Sequence, residues 1–91
     1  MPDIAVKVKV DCRGMHCPAH VVMMRRNLSQ IGVGDVMEII ATDPATEKDI
    51  PPASRSMGLE VLTQEVIDKP YVSDTGAKYD REYHYYLRKN E

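Results

Sequence analysis

The sequence predicts an α+β layer in which two helices lie on one face of a four-stranded sheet. Three observations carry this. An alternating apolar run comes first, and a stripe of apolar residues at three- and four-residue steps follows it. A second strand-then-helix unit comes next, and two more strand-like runs close the chain.

Ile4, Val6, Val8 and Val10 alternate with Lys7 and Lys9, the pattern of a half-buried strand over residues 4–10. From Pro18 the period changes: Val21, Met24, Leu28 and Ile31 make one face of a helix, with Arg26, Asn27, Ser29 and Gln30 outside. Gly32 fits the left-handed residue past its end, and Met23–Met24 reads as core filling. Gly34-Asp35 turns the chain into a strand over Val36–Thr42. Its apolar residues occur on both parities, which places it inside the sheet. Asp43-Pro44 reads as a helix cap followed by a first-position proline. Pro51-Pro52 cannot continue an undisturbed helix, so a short turn over 44–49 is expected, then a helix from near Pro51 to Gly58 burying Ile50, Ala53 and Met57. Leu59–Val66 and Tyr83–Lys89 are the remaining strands. Between them, residues 68–82 are polar, contain Pro70 and Gly76, and read as a long hairpin connection.

With 91 residues the chain suits one domain, 1–91. Its net charge of −2 is scattered in both signs, with no pull toward nucleic acid or an anionic membrane. No apolar run is long enough to span a bilayer and no signal peptide is evident, so the cytoplasm is the expected location. Two cysteines, Cys12 and Cys17, suit a reducing compartment better than a disulfide scaffold. Cys-x4-Cys with His16 and His20 in the same turn lacks the distant ligand pair of a structural zinc site, and no metal or other cofactor is expected.

The stretch Asp11-Cys12-Arg13-Gly14-Met15-His16-Cys17-Pro18-Ala19-His20 delivers the first strand into the first helix. Cys17 falls at the N-cap position and Pro18 at the first helical position, where its missing N–H costs nothing. Gly14 gives the turn its backbone freedom. A thiol at a helix N-terminus meets free amide N–H groups and the positive end of the dipole, both of which favour thiolate. The dipole alone supplies about 0.3–1 kcal/mol, less than about one pKa unit. Direct N–H contacts or a nearby cation must add the rest, and Arg13, His16 and His20 are the local cations. Cys17 therefore reads as an exposed nucleophile. Cys12, near the strand end, is either a small packed side chain or a second thiol within reach of Cys17 for a disulfide. His20, at the third helical position, either folds back over Cys17 as a neutral hydrogen-bond donor or stands in solvent.

Cys17-Pro18 at this turn, preceded by Asp11-x-Arg13-Gly14-Met15-x, resembles the signature of the TusA/SirA-like family of small sulfur-transfer proteins. Thr42-Asp43-Pro44-Ala45-Thr46 followed by Asp49-Ile50-Pro51 resembles that family's second recurring stretch, and the likeness runs from about Val10 to Leu62. The resemblance implies a βαβαββ two-layer α/β sandwich with a four-stranded mixed sheet. It also implies a sulfurtransferase or sulfur carrier in which Cys17 bears a persulfide; the residues themselves offer Arg13, Gly14, Pro18 and His20 as its supports. The implied partners are a protein donor, such as a cysteine desulfurase or rhodanese, and a protein acceptor in transfer-RNA thiolation, molybdenum-cofactor assembly or sulfur oxidation. Two departures stand out. His20 replaces the second proline of Cys-Pro-x-Pro, and residues 68–82 are longer than the usual connection.

Other classes remain at this stage. A thiol-redox module would use Cys12 and Cys17, and a regulatory domain would bind partners without carrying sulfur. Tyr83, His84, Tyr85, Tyr86, Arg88 and Lys89 interleave aromatics with cations, as RNA-binding strands do. Tyrosines on a last strand are more often cross-strand packing, however.

Overall fold

The computed structural model describes residues 4–16 and 19–91. The strands and helices run β1 (Val8–Cys12), α1 (Ala19–Asn27), β2 (Val36–Ala41), α2 (Thr46–Ser56), β3 (Leu59–Ile67), β4 (Tyr71–Val72), β5 (Lys78–Tyr79) and β6 (Glu82–Lys89). The main sheet has the order β1-β2-β6-β3, with β1 parallel to β2 and β6 antiparallel to both of its neighbours. β6 thus lies between two strands that run the same way, and α2 links those two across it. This is the expected four-stranded mixed sheet with two helices. β4 and β5 form a separate two-stranded sheet inside the long connection.

Alternation along the strands divides the sheet into two unlike faces. Val10 and Cys12 of β1, Met37, Ile39 and Ala41 of β2, Tyr83, Tyr85 and Leu87 of β6 and Leu59 of β3 form one buried cluster with Met24, Ile31, Ile50 and Met57 from the helical layer. Tyr83 and Tyr85 of the last strand are therefore core, while Tyr86 is buried on the opposite face. Tyr85 is buried, its hydroxyl meets Thr46 Oγ1 of α2 at 2.7 Å, and burial pushes that hydroxyl's pKa up to about 12. On the other face, cross-strand rows align Lys9, Glu38, Tyr86 and Thr63, then Asp11, Ile40, His84 and Glu65. β2 is buried on both sides at most positions, as an inner strand should be.

Five local expectations change. The first strand begins at Val8 rather than Ile4, because pairing with β2 begins at Val8↔Met37, just after the bond from Lys7 N–H to the Val36 carbonyl. The alternation continues past Val10 and turns Cys12 inward. α1 ends at Asn27 and tightens into a 3₁₀ turn, Leu28–Gln30. Gly32 does not take the left-handed conformation; its N–H donates to Asp35 Oδ2, and Gly34, at φ 92°, reverses the chain instead.

The largest change is α2. Residues 46–56 are one helix that runs through Pro51 and Pro52, not a turn followed by a helix from Pro51. Each proline removes one helical donor, and an interior proline costs about 3 kcal/mol. Tertiary packing overrides that cost. Asp43 Oδ1 accepts the Ala45 N–H at 3.0 Å and starts the helix, while Ile50, Thr46 and Ser54 are buried on either side of the prolines. The carbonyls left without helical donors belong to Glu47 and Lys48, both on the solvent side. Ile50, Ala53 and Met57 do form the inner side, and Gly58, at φ 73°, ends the segment as expected. The fifth change is that the connection after β3 is folded, not irregular. Tyr71 pairs with Tyr79 and Val72 with Lys78, and Ser73 and Ala77 close a three-residue tip whose Gly76 has φ 86°.

Candidate functional site

The turn after β1 is built from short-range bonds. Asp11 Oδ1 accepts the backbone N–H of Arg13 at 3.1 Å and its Nε at 2.9 Å, and Asp11 Oδ2 accepts Nη2 at 2.8 Å. This two-pronged pairing holds the Asp11 carboxyl below its usual range, with the Arg13 hydrogen bond as the main cause. Arg13 Nη1 also lies 3.5 Å from Glu82 Oε2, and its guanidinium sits 5.0 Å over the Tyr71 ring. Arg13, expected as a cation for the sulfur, is thus held by three partners and orders the turn.

Gly14 takes φ +80°, and its N–H donates to Thr42 Oγ1 at 2.9 Å, tying the turn to the end of β2. A Cβ at Gly14 would lie 3.3 Å from the Ser73 Cβ and 3.5 Å from the Tyr71 ring. The β4–β5 hairpin therefore packs directly on this turn. His16 completes the contact. Its Nε2 is 3.1 Å from the Tyr79 hydroxyl and its Nδ1 is 3.4 Å from Asp43 Oδ2. An open cleft of about 450 Å³ lies alongside, lined by Thr42, Pro44, Tyr79 and Tyr83 among others.

Cys12 is fully buried, and burial, with the Asp11 charge adding to it, pushes its thiol up to about 11. It is packed in the core cluster. Cys17 and Pro18, with the N-cap and first-position expectations attached to them, lie outside the described residues.

His20 does not stand in solvent. It is 1 % exposed, and among the described residues neither ring nitrogen has a hydrogen-bond partner. Burial pulls its pKa below the ordinary value, so the ring is neutral near pH 7. The helix turns residue 20 onto the same inward side as Met24, four positions on. A histidine in place of the family's second proline is therefore a core residue.

Sequence reasoning missed two constellations. One is the meeting of His16, Asp43 and Tyr79, three residues far apart in the chain. Tyrosines at both ends of a Gly-containing polar stretch were its only signal. The other is on the second sheet face, where His84 Nδ1 lies 2.9 Å from Glu38 Oε2 and His84 Nε2 lies 3.0 Å from Glu82 Oε1. Among the described residues no three His, Cys, Asp or Glu side chains converge as a metal site, and no helix is long and apolar enough to cross a membrane.

Comparison with known proteins places this turn in context. The family model described as sulfurtransferase TusA matches residues 8–73, from β1 into the hairpin. The sulfur carrier protein TusA of Pseudomonas entomophila is 35 % identical over 65 residues, 71 % of this chain and 81 % of that protein. The sulfur carrier protein TusA of Pseudomonas putida is 34 % identical over 65 residues, with the same coverage of 71 % and 81 %. The crystal structure of a SirA-like protein from Desulfitobacterium hafniense shares the fold, with a TM-score of 0.62 at 19 % identity over 92 % of this chain and 99 % of that one. With the family model matching from β1 through β3 and curated relatives at this identity, the chain belongs to the TusA family.

Proposed function

We propose that this chain is a sulfur carrier that accepts a sulfane sulfur on Cys17 as a persulfide and passes it to an acceptor protein. The observation that carries the reading is that the family match spans the Asp11–His20 turn, the one stretch where sequence places a thiol at a helix start. The Cys17 thiolate attacks the terminal sulfur of a donor persulfide. The donor's S–S bond breaks, a new S–S bond forms on Cys17, and the donor leaves as a thiolate. Nothing is oxidised or reduced overall. The second transfer repeats the step with an acceptor thiolate.

Arg13 and Gly14 support the site by fixing the turn, Pro18 follows the cysteine in the sequence, and buried His20 contributes a neutral ring. The donor is a desulfurase or rhodanese-type protein and the acceptor another protein, both working in the reducing cytoplasm. A disulfide-based redox role is disfavoured because Cys12 is buried with its thiol pushed up to about 11.

Intact-mass measurement after exposure to a sulfane donor tests the reading. Wild type and Cys12→Ser gain one sulfur's mass and Cys17→Ser does not. Loading that survives Cys17→Ser, or that requires Cys12, overturns it.

A further inference from the structure

The long link from β3 to β6 does more than join two strands. Its last residues, with the end of β2, enclose the open cleft of about 450 Å³. We propose that this cleft binds a short peptide-like molecule carrying two carboxylates and one ammonium, with Lys78 and Arg81 taking the carboxylates and Asp80 the ammonium. The binding goes beyond the carrier reading and involves neither Cys17 nor its chemistry.

The cleft has a closed floor and a charged rim. Thr42 and Tyr83 are 2 % and 5 % exposed, so the core holds both, while Lys78, Asp80 and Arg81 are exposed. Tyr83 pairs with Ala41 of β2 and Val66 of β3, which fixes it inside the sheet. The walls are tied down as well. Thr42 Oγ1 accepts the Gly14 N–H at 2.9 Å, and the Tyr79 hydroxyl lies 3.1 Å from His16 Nε2. A preformed concavity of this volume suits a small molecule, and the rings of Tyr79 and Tyr83 offer apolar contact to its methylene groups.

The rim charges choose the ligand. Lys78, Asp80 and Arg81 place two positive groups and one negative group within one short stretch of chain. Among the described residues neither Lys78 nor Asp80 enters an ion pair. Arg81 Nε lies 3.0 Å from Asp68 Oδ1, but both side chains are mostly exposed and such a pair is weak. The guanidinium also keeps its two terminal nitrogens for a carboxylate. A plain anion would meet Asp80, and a plain cation would meet Lys78 and Arg81, so each is disfavoured. The inverse pattern, two carboxylates and one ammonium, satisfies all three. A di- or tripeptide with one acidic residue has it, and so does glutathione.

The test is a titration of S-methylglutathione, which has this charge pattern and no thiol to react, followed by amide NMR shifts. Wild type, Lys78→Gln/Arg81→Gln, Asp80→Asn and Cys17→Ser are compared, with succinate as a dicarboxylate lacking the ammonium. The rim positions are exposed, and circular dichroism checks that the variants fold. Wild type is expected to saturate with a Kd of about 1 mM or tighter, with shifts at Thr42, Tyr79, Asp80 and Tyr83. The double variant should bind about tenfold more weakly, and Asp80→Asn about threefold more weakly without weakening succinate. Cys17→Ser should bind as wild type does. No saturation by about 10 mM, shifts centred outside the cleft, or affinity unchanged in the rim variants overturns the proposal. Succinate binding as tightly as S-methylglutathione overturns it too, because the cleft is then a simple anion patch. None of these readouts involves sulfur transfer, so the carrier reading stands or falls separately, on the loading of Cys17→Ser.

Discussion

His20 is where a single side chain departs most from what its position suggests. A residue three places after Cys17 invites a role at the sulfur, yet the helix turns it into the core, where the charged ring is disfavoured. Its folded-state pKa is lowered, so the unfolded chain binds the extra proton more readily. The stability that depends on a neutral His20 is full above its unfolded pKa of about 6.5 and is lost as pH falls through that value toward the lower folded one. His20→Leu should flatten the urea stability profile between about pH 6.5 and 5, removing a slope of at most about 1.4 kcal/mol per pH unit. An unchanged slope would show that other groups carry it. The Asp11 carboxyl, lowered by Arg13, acts in a separate and more acidic window, below its unfolded pKa of about 3.9.

Among the elements, the β4–β5 hairpin is the distinctive one. Its two strands of two residues each would not persist alone. They are held by Arg13 against Tyr71, by His16 against Tyr79 and by the bare α-carbon of Gly14. Gly14→Ala adds a methyl at φ +80° and 3.3 Å from the Ser73 Cβ. It should cost about 1–2 kcal/mol from backbone strain and loosen the hairpin, visible as shifted Tyr71 and Tyr79 ring resonances. Tyrosine signals that stay in place in that variant would show that the hairpin does not depend on the turn. In α2, the prolines mark the limit of local rules. Pattern and propensity argued for a break, while the Asp43 cap and the burial of Ile50 and Ser54 hold one helix through it.

Across the whole molecule, the sheet separates two environments. One face meets the helices through an apolar cluster, and the other carries His84 between the buried carboxylates of Glu38 and Glu82. Lys9 at 3.8 Å from Glu38, and Arg13 and Lys69 at 3.5 and 4.0 Å from Glu82, extend this network from β1 to the hairpin's first residues. His84→Leu leaves two buried carboxylates facing an apolar group and should cost about 3–5 kcal/mol at neutral pH. Urea unfolding at neutral pH measures it, and a loss under about 1 kcal/mol would rule out this pairing as a stabilising contact.

The sequence by itself determined the order of strands and helices, the inner position of β2, the turn at Gly14 and the packing role of the final tyrosines. Each follows from periodicity or from a backbone requirement that neighbouring residues express. The likeness to sulfur-transfer proteins likewise rests on short runs readable in line. The tertiary structure alone decided the passage of α2 through two prolines, the burial of His20, and the meeting of His16, Asp43 and Tyr79. Those outcomes depend on which surfaces come together when sheet, helices and hairpin pack. Contacts between residues far apart in the chain leave no periodic trace in it.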